Sequence, residues 1–191
     1  MEDVGRILTA AAGDRPEQTL FAFYDGDGNL KEHYSYEGFL RRANFVGRSL
    51  REAGIASGEP LLLVYPPGTE MAVAFFACIL IGAIPVPAPP PAMARLHSGW
   101  VRLAHIAANA GADKVLSTTA IAARVAEGEG GVDTAGFGRL RWIPTDTMSG
   151  SLDTLARGRS DVLFIQYTSG STSRPRGVAV THANVVHNAR L

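Results

Sequence analysis

Apolar positions along the chain change period several times, and each change marks an element. Two short, aromatic-rich runs, Thr19–Tyr24 and Lys31–Tyr36, flank Asp25-Gly26-Asp27-Gly28-Asn29, so a β-hairpin is predicted there. From Tyr36 onward Phe39, Ala43, Val46, Leu50 and Ala53 recur at three-to-four spacing, the period of an amphipathic helix. Ser35 is placed to cap its start and Gly54 its end, and Arg41, Arg42, Arg48 and Arg51 are expected on its solvent side. Leu61–Tyr65 is continuously apolar, as in a strand buried on both faces. Pro66-Pro67-Gly68 breaks it, and Gly68 or Thr69 opens a helix reaching about Gly82. That helix is apolar almost all round and is expected to be buried on most sides.

Beyond Gly82 the chain changes character. Pro85, Pro87, Pro89, Pro90 and Pro91 predict an extended, polyproline-like connector leaving a core strand; a peptide-recognition segment is the alternative. A helix is predicted from Ser98 to about Ala110, closed by Gly111, then a strand Lys114–Ser117, then a helix capped by Thr118 or Thr119 and running to Glu127. Residues 128–138 are glycine-rich and are expected to form a flexible surface loop. Leu140–Ile143 predicts a short strand, Thr145–Ser160 is polar and irregular, and Asp161–Ile165 and Val178–Val180 are strand-like. Strands alternating with helices predict an α/β layered fold, a mostly parallel sheet flanked by helices, with an N-terminal β-hairpin.

Composition narrows the partners. The 18 basic and 18 acidic side chains balance to a formal net charge of zero, which offers no electrostatic case for nucleic acid or an anionic membrane surface. Cys78 is the single cysteine, so disulfides and Cys-based metal sites are excluded, and the five histidines lack metal-ligand spacing. At least four of them are expected to be ordinary polar or half-buried residues. The acidic start lacks the pattern of a signal peptide. Met71–Ile81, the longest apolar run, falls short of the ~20 residues that span a bilayer. A soluble, cytoplasmic protein without internal repeats is expected.

The candidate chemistry lies in Gln166-Tyr167-Thr168-Ser169-Gly170-Ser171-Thr172-Ser173-Arg174-Pro175-Arg176-Gly177-Val178. Residues 168–173 are all small, and all but Gly170 carry hydroxyls. Such a loop wraps an anion with backbone N–H and side-chain O–H groups, while Arg176 adds a permanent charge; a polyphosphate is the natural ligand. In a parallel sheet, ligands gather beyond strand C-termini, and the loop after Ile165 is expected at such an end. Ser, Thr and Gly also collect in ordinary turns, so a plain polar connection is the alternative. The phosphate loop of the P-loop NTPases is excluded, because no Gly-Lys-Ser/Thr occurs and a strand rather than a helix follows.

The ordered string Tyr167-Thr168-Ser169-Gly170-Ser171-Thr172, Pro175-Arg176-Gly177-Val178, then Thr181-His182-Ala183-Asn184 resembles the phosphate-binding signature of the adenylate-forming enzymes, which include acyl-CoA synthetases, non-ribosomal peptide synthetase adenylation domains and luciferases. The family usually carries Lys at the position of Arg176 and often Gly at that of Ser173. Leu61–Gly68, the Phe75-Phe76 helix, and Gly82–Pro91 further resemble the fatty acyl-AMP ligases of that superfamily. The resemblance covers roughly Thr19 to Leu191.

It implies a fatty acyl-AMP ligase, in which a fatty acid and ATP, with Mg²⁺, form acyl-adenylate and pyrophosphate, and the acyl group passes to an acyl carrier protein feeding polyketide or lipopeptide synthesis. Thr168, Ser169, Gly170, Ser171, Thr172 and Arg176 would then hold the ATP phosphates. Thr181, His182 and Asn184 are expected only to begin the last helix. In the family the adenine, acid-pocket and Mg²⁺ residues and the catalytic Lys of a small C-terminal domain lie further on. The chain is therefore expected to be an N-terminal subdomain, a fragment of the large ATP-binding domain, with no catalytic residue or metal ligand of its own, and inactive alone. An acyl-CoA synthetase, an amino-acid adenylation domain, or a non-catalytic α/β interaction module are the alternatives.

Overall fold

A computed structural model describes residues 3–92, 95–129, 136, 139–149, 155, 157–168 and 175–190. In chain order these form α1 (Val4–Asp14), β1 (Thr19–Tyr24), β2 (Leu30–Ser35), α2 (Tyr36–Glu52), β3 (Pro60–Val64), α3 (Glu70–Ile81) and β4 (Ile84–Ala88). They continue with α4 (Leu96–Ala110), β5 (Lys114–Ser117), α5 (Thr119–Ala126), β6 (Arg141–Pro144), β7 (Val162–Thr168), β8 (Arg176–Thr181) and α6 (His182–Asn188).

The core sheet has the order β4-β3-β5-β6 and is parallel throughout. Successive side chains of a strand point to opposite faces. Accordingly Leu61 and Leu63 pack with α2 and α3 residues such as Val46, Leu50, Ala77 and Ile81, whereas Leu62 and Val64 pack with Trp100, Leu103 and Ile106 of α4 and Ile121 and Val125 of α5. Leu61, Leu62, Leu63 and Val64 are all fully buried. Each Leu so covered contributes about 1.5–3 kcal/mol relative to an exposed one. The expected α/β fold, with a parallel sheet flanked by helices, is the one observed.

β4 carries Pro85 and Pro87, which cannot donate to a ladder. The Ile84 amide donates to Glu59 O at 2.8 Å, so by alternation Ile84, Val86 and Ala88 bond toward β3 and the two prolines face away. β4 is thus an edge strand whose far side is closed to pairing, and β7 lies alongside it.

Caps fall where side-chain chemistry places them. Ser35 Oγ accepts from the Gly38 amide at 3.2 Å and Thr118 caps α5. Gly82 and Gly111 close α3 and α4 in the left-handed conformation. The hairpin β1–β2 docks through Phe21 and Tyr34, whose rings lie 4.9 and 5.9 Å from that of Phe39 on α2.

Several expectations are corrected. α1 was not anticipated; Asp3 caps it by accepting from the Arg6 amide at 2.8 Å, and Gly5, Leu8 and Ala12 form its buried stripe. Arg42 and Arg51 do not belong to a solvent face. Arg42 donates to Met148 O (2.7 Å) and Thr145 O (2.9 Å) and lies 3.6 Å from Glu70, while Arg51 donates to Ile81 O at 2.5 Å and Ile55 O at 3.3 Å. Both donate to backbone carbonyls, most of them on segments distant in sequence, which the local pattern does not reveal. Most of the glycine-rich segment 128–138 and much of 145–160 lie outside the described residues.

Gly82 has φ +74°, and a Cβ there would meet the Arg159 backbone nitrogen, with Ser57 Oγ only 2.5 Å away. Gly82→Ala is expected to cost at least about 2 kcal/mol, because strain at positive φ and backbone overlap add. A denaturant midpoint unchanged from the parent would contradict this packing.

Candidate functional site

β7 and β8 pair antiparallel, with Thr168 opposite Arg176, Tyr167 opposite Gly177, and Gln166 opposite Val178. They form a separate two-stranded sheet, so the hydroxyl-rich segment joins two antiparallel strands rather than following the end of a parallel one. The pair lies outside the parallel ladder, yet Gln166 at the loop's entry lines a cleft at the C-terminal ends of β3 and β4. Among the described residues no backbone ladder links β7 to β4, whose prolines offer no donors on that side.

The hairpin has two unlike faces. Tyr167, with Ile165 beside it, packs into the apolar cluster of α4 and α5, and the Tyr167 hydroxyl donates to Asn109 Oδ1 of α4 at 2.6 Å. Thr168 and Arg176 occupy the opposite face, directly across from each other at the mouth of the loop, and both are exposed. Opposed residues of an antiparallel pair hold their side chains side by side. A hydroxyl and a permanent cation therefore meet at one spot. Ser169, Gly170, Ser171 and Thr172 lie outside the described residues. Of the candidate phosphate ligands, the structure brings together Thr168 and Arg176.

The two proline segments also meet. Tyr65, Pro67 and Met71, after β3 and at the start of α3, face Pro87 and Pro89 across a cleft of about 370 Å³ that Gln166 of β7 also lines. The cleft lies at the C-terminal ends of β3 and β4, where open α/β sheets gather ligands. Below it Tyr65 is buried, its hydroxyl 2.8 Å from the buried Thr145 Oγ1, and burial raises its pKa well above the ordinary value. Thr145, expected in an irregular polar stretch, is fully buried as that partner. Burial likewise raises the Glu70 carboxyl, opposed by Arg42, and raises the Cys78 thiol, leaving it neutral and unreactive.

Thr181 and Asn184 form a capping box on α6: Thr181 Oγ1 accepts from the Asn184 amide at 3.1 Å, and Asn184 Oδ1 from the Thr181 amide at 2.9 Å. His182, expected only to begin the last helix, is buried, its Nδ1 accepting from the Val4 amide at 3.1 Å. It ties the chain's first helix to the strand that leaves the candidate site. Burial lowers the His182 pKa, while Asp3 and Asp161 pull the other way. Among the described residues no three His, Cys, Asp or Glu side chains cluster as metal ligands. The hydroxyls and guanidinium of the hairpin suit an anion and supply no carboxylate for Mg²⁺. No described helix is long and apolar enough to cross a membrane.

Comparison with known proteins places the chain in a family. The pattern of the AMP-binding enzyme family matches residues 8–191, and the chain belongs to that family. It is 34% identical over 158 residues to the medium-chain-fatty-acid–[acyl-carrier-protein] ligase JamA of Moorena producens, covering 81% of this chain and 26% of that protein. It is 30% identical over 192 residues to the 4-hydroxyphenylalkanoate adenylyltransferase of Mycobacterium marinum, covering 95% of this chain and 30% of that protein. Among solved structures it resembles the fatty acyl-adenylate ligase of L. pneumophila, in complex with acyl adenylate and pyrophosphate, with a TM-score of 0.82 and 26% identity over 98% of this chain and 32% of that one. The chain spans about a third or less of the length of these relatives.

The neutral His182 ring accepts a hydrogen bond that its protonated form cannot accept through Nδ1. With its folded pKa below the ordinary 6.5, its contribution is present above that value and is lost as pH falls through the folded pKa. The parent is therefore expected to lose more stability than His182→Gln between about pH 7 and pH 5, measured as the difference in denaturant midpoint. Equal pH slopes in the two proteins would refute the assignment.

Proposed function

We propose that this chain is the phosphate-gripping N-terminal subdomain of the large domain of a fatty acyl-AMP ligase, which joins a fatty acid to ATP and passes the acyl group to an acyl carrier protein. The observation that carries the proposal is the hairpin register, which sets the exposed Arg176 beside Thr168 at the two ends of a hydroxyl-rich segment. The fatty-acid relatives favour a fatty acid over an amino acid, and the carrier-protein ligase among them favours a carrier protein over free CoA as acceptor.

A carboxylate oxygen of the acid attacks the ATP α-phosphorus. The new P–O bond forms as the bond to the bridging oxygen breaks, and pyrophosphate departs with the electron pair. Thr168, Ser169, Ser171 and Thr172 hold the β- and γ-phosphates through hydroxyls, the loop backbone through N–H groups with Gly170 allowing close approach, and Arg176 offsets the charge that gathers on the leaving pyrophosphate. Such catalysis is mostly positioning and charge neutralisation. Mg²⁺ belongs to the proposal as the counter-ion of the nucleotide, with no ligand assigned among residues 1–191. Turnover requires the rest of the protein, and the cytoplasm supplies ATP and carrier protein alike.

The test is fatty-acid-dependent ATP–pyrophosphate exchange by the intact protein. Arg176→Ala is expected to lower kcat/KM for ATP by about 10- to 100-fold, the scale of a lost charged hydrogen bond. Its melting temperature should hold, because the side chain is exposed. Arg176→Lys should retain most of the activity. Exchange unaffected by Arg176→Ala would remove its role, and no exchange by the parent with any carboxylic acid would sink the whole proposal.

A further inference from the structure

The strand residue just before the loop sits in an unusual place. Tyr167 is 8% exposed, in the middle of the apolar cluster that fills the space between the sheet and α4, yet its two sequence neighbours Gln166 and Thr168 are exposed. Its ring lies across Gly177 on the partner strand. A Cβ built on Gly177 would stand 2.9 Å from Tyr167 Cζ and 3.0 Å from its hydroxyl oxygen, so only glycine leaves the ring its seat. From that seat the hydroxyl reaches Asn109 Oδ1 at 2.6 Å, near the C-terminal end of α4. Burial raises the Tyr167 pKa, which keeps the hydroxyl protonated as the donor.

The two strands otherwise have no backbone ladder to the core sheet. Side chains on both faces hold the hairpin on the domain, Tyr167 and Ile165 on one and Phe164 against Phe75 on the other, and the Tyr167–Asn109 bond is the directional contact at its loop end among the described residues. One residue further along, on the opposite face, stand Thr168 and Arg176. A tilt of the Tyr167 ring is therefore transmitted to the phosphate-facing pair across a single residue, ~3.3 Å of strand.

We propose that Tyr167, seated on Gly177 and bonded to Asn109, is a positioning residue that sets the angle of the phosphate hairpin against α4, and so the placement of Thr168 and Arg176 on the nucleotide, without touching the nucleotide itself. This rests on the proposed ATP-binding role of the hairpin. It differs from a packing role in what it predicts: loss of the hydroxyl alone, with the ring kept, affects ATP and leaves the acid untouched.

The experiment compares the intact protein with Tyr167→Phe, Asn109→Ala, the double variant and Gly177→Ala, in fatty-acid-dependent ATP–pyrophosphate exchange and by thermal unfolding. Tyr167→Phe and Asn109→Ala are each expected to raise the KM for ATP about threefold, the scale of one partly exposed neutral hydrogen bond, with the KM for the acid unchanged. The double variant should be no worse than either single one, because both remove the same bond. Gly177→Ala should raise the KM for ATP further by unseating the ring. An unchanged KM for ATP in both single variants overturns the proposal, as does a parallel rise in both KM values with a lowered melting temperature, or an additive double variant. A parent that neither exchanges nor binds ATP overturns the ATP-binding role and this proposal with it. A parent that exchanges while the variants match it overturns the positioning role alone.

Discussion

Two-sided burial of β3 is the constraint on which the rest of the structure depends. Leu61, Leu62, Leu63 and Val64 are fully covered, two toward α2 and α3 and two toward α4 and α5. A strand with no solvent face demands a helical layer on each side, and parallel neighbours supply those layers through crossover helices. Once β3 is central, β4 and β5 flank it, and the C-terminal ends of β3 and β4 open together into the proline-lined cleft. The near-complete apolarity of α3 follows from the same constraint, since it packs against the sheet on one side and α2 on another.

The edge of that sheet is finished by proline. Pro85 and Pro87 turn an otherwise pairing-competent edge into one that accepts only side-chain packing. The β7–β8 hairpin sits alongside it, held by Phe164 against Phe75 at 5.6 Å and by Tyr167 in the second apolar cluster. Attached by side chains rather than by a backbone ladder, the hairpin docks through both faces near its base, and of its outer face only the loop end, with Gln166, Thr168 and Arg176, is exposed. At that end the cationic Arg176 lies outside and the aromatic Tyr167 inside, although their strands are directly paired.

Long-range polar contacts then join segments far apart in the chain. Arg42 gathers the carbonyls of Thr145 and Met148 onto α2, Glu32 of the first hairpin accepts from the Thr69 amide at 3.1 Å, and His182 accepts from Val4. Each pairs a side chain with a backbone group on a segment distant in sequence. These contacts connect both ends of the described chain to the core, and they make one unit of the hairpin, the two-layered sheet and the strand pair that bears the candidate site.

What the sequence determined by itself is whatever depends on local period, caps and ordered motif. The two-sided strand Leu61–Val64, the all-apolar α3, the cap at Ser35 and the strand Lys114–Ser117 were legible because side-chain period and capping chemistry act within a few residues. The string from Tyr167 to Asn184 carries the family resemblance by itself, because its order is long and specific. Helix α1 escaped because its buried stripe is only Gly5, Leu8 and Ala12, too small a signal to stand out. Tertiary structure alone decided which polar residues leave the solvent. Arg42, Arg51, Thr145 and His182 look like surface residues in the sequence, and each is drawn inward by a backbone carbonyl, amide or hydroxyl brought near by folding. It also decided that the hydroxyl-rich segment joins an antiparallel pair, and that Tyr167 and Arg176 face opposite ways. Register sets the facing, and packing against α4 sets the inner face; neither is encoded in any short stretch of chain.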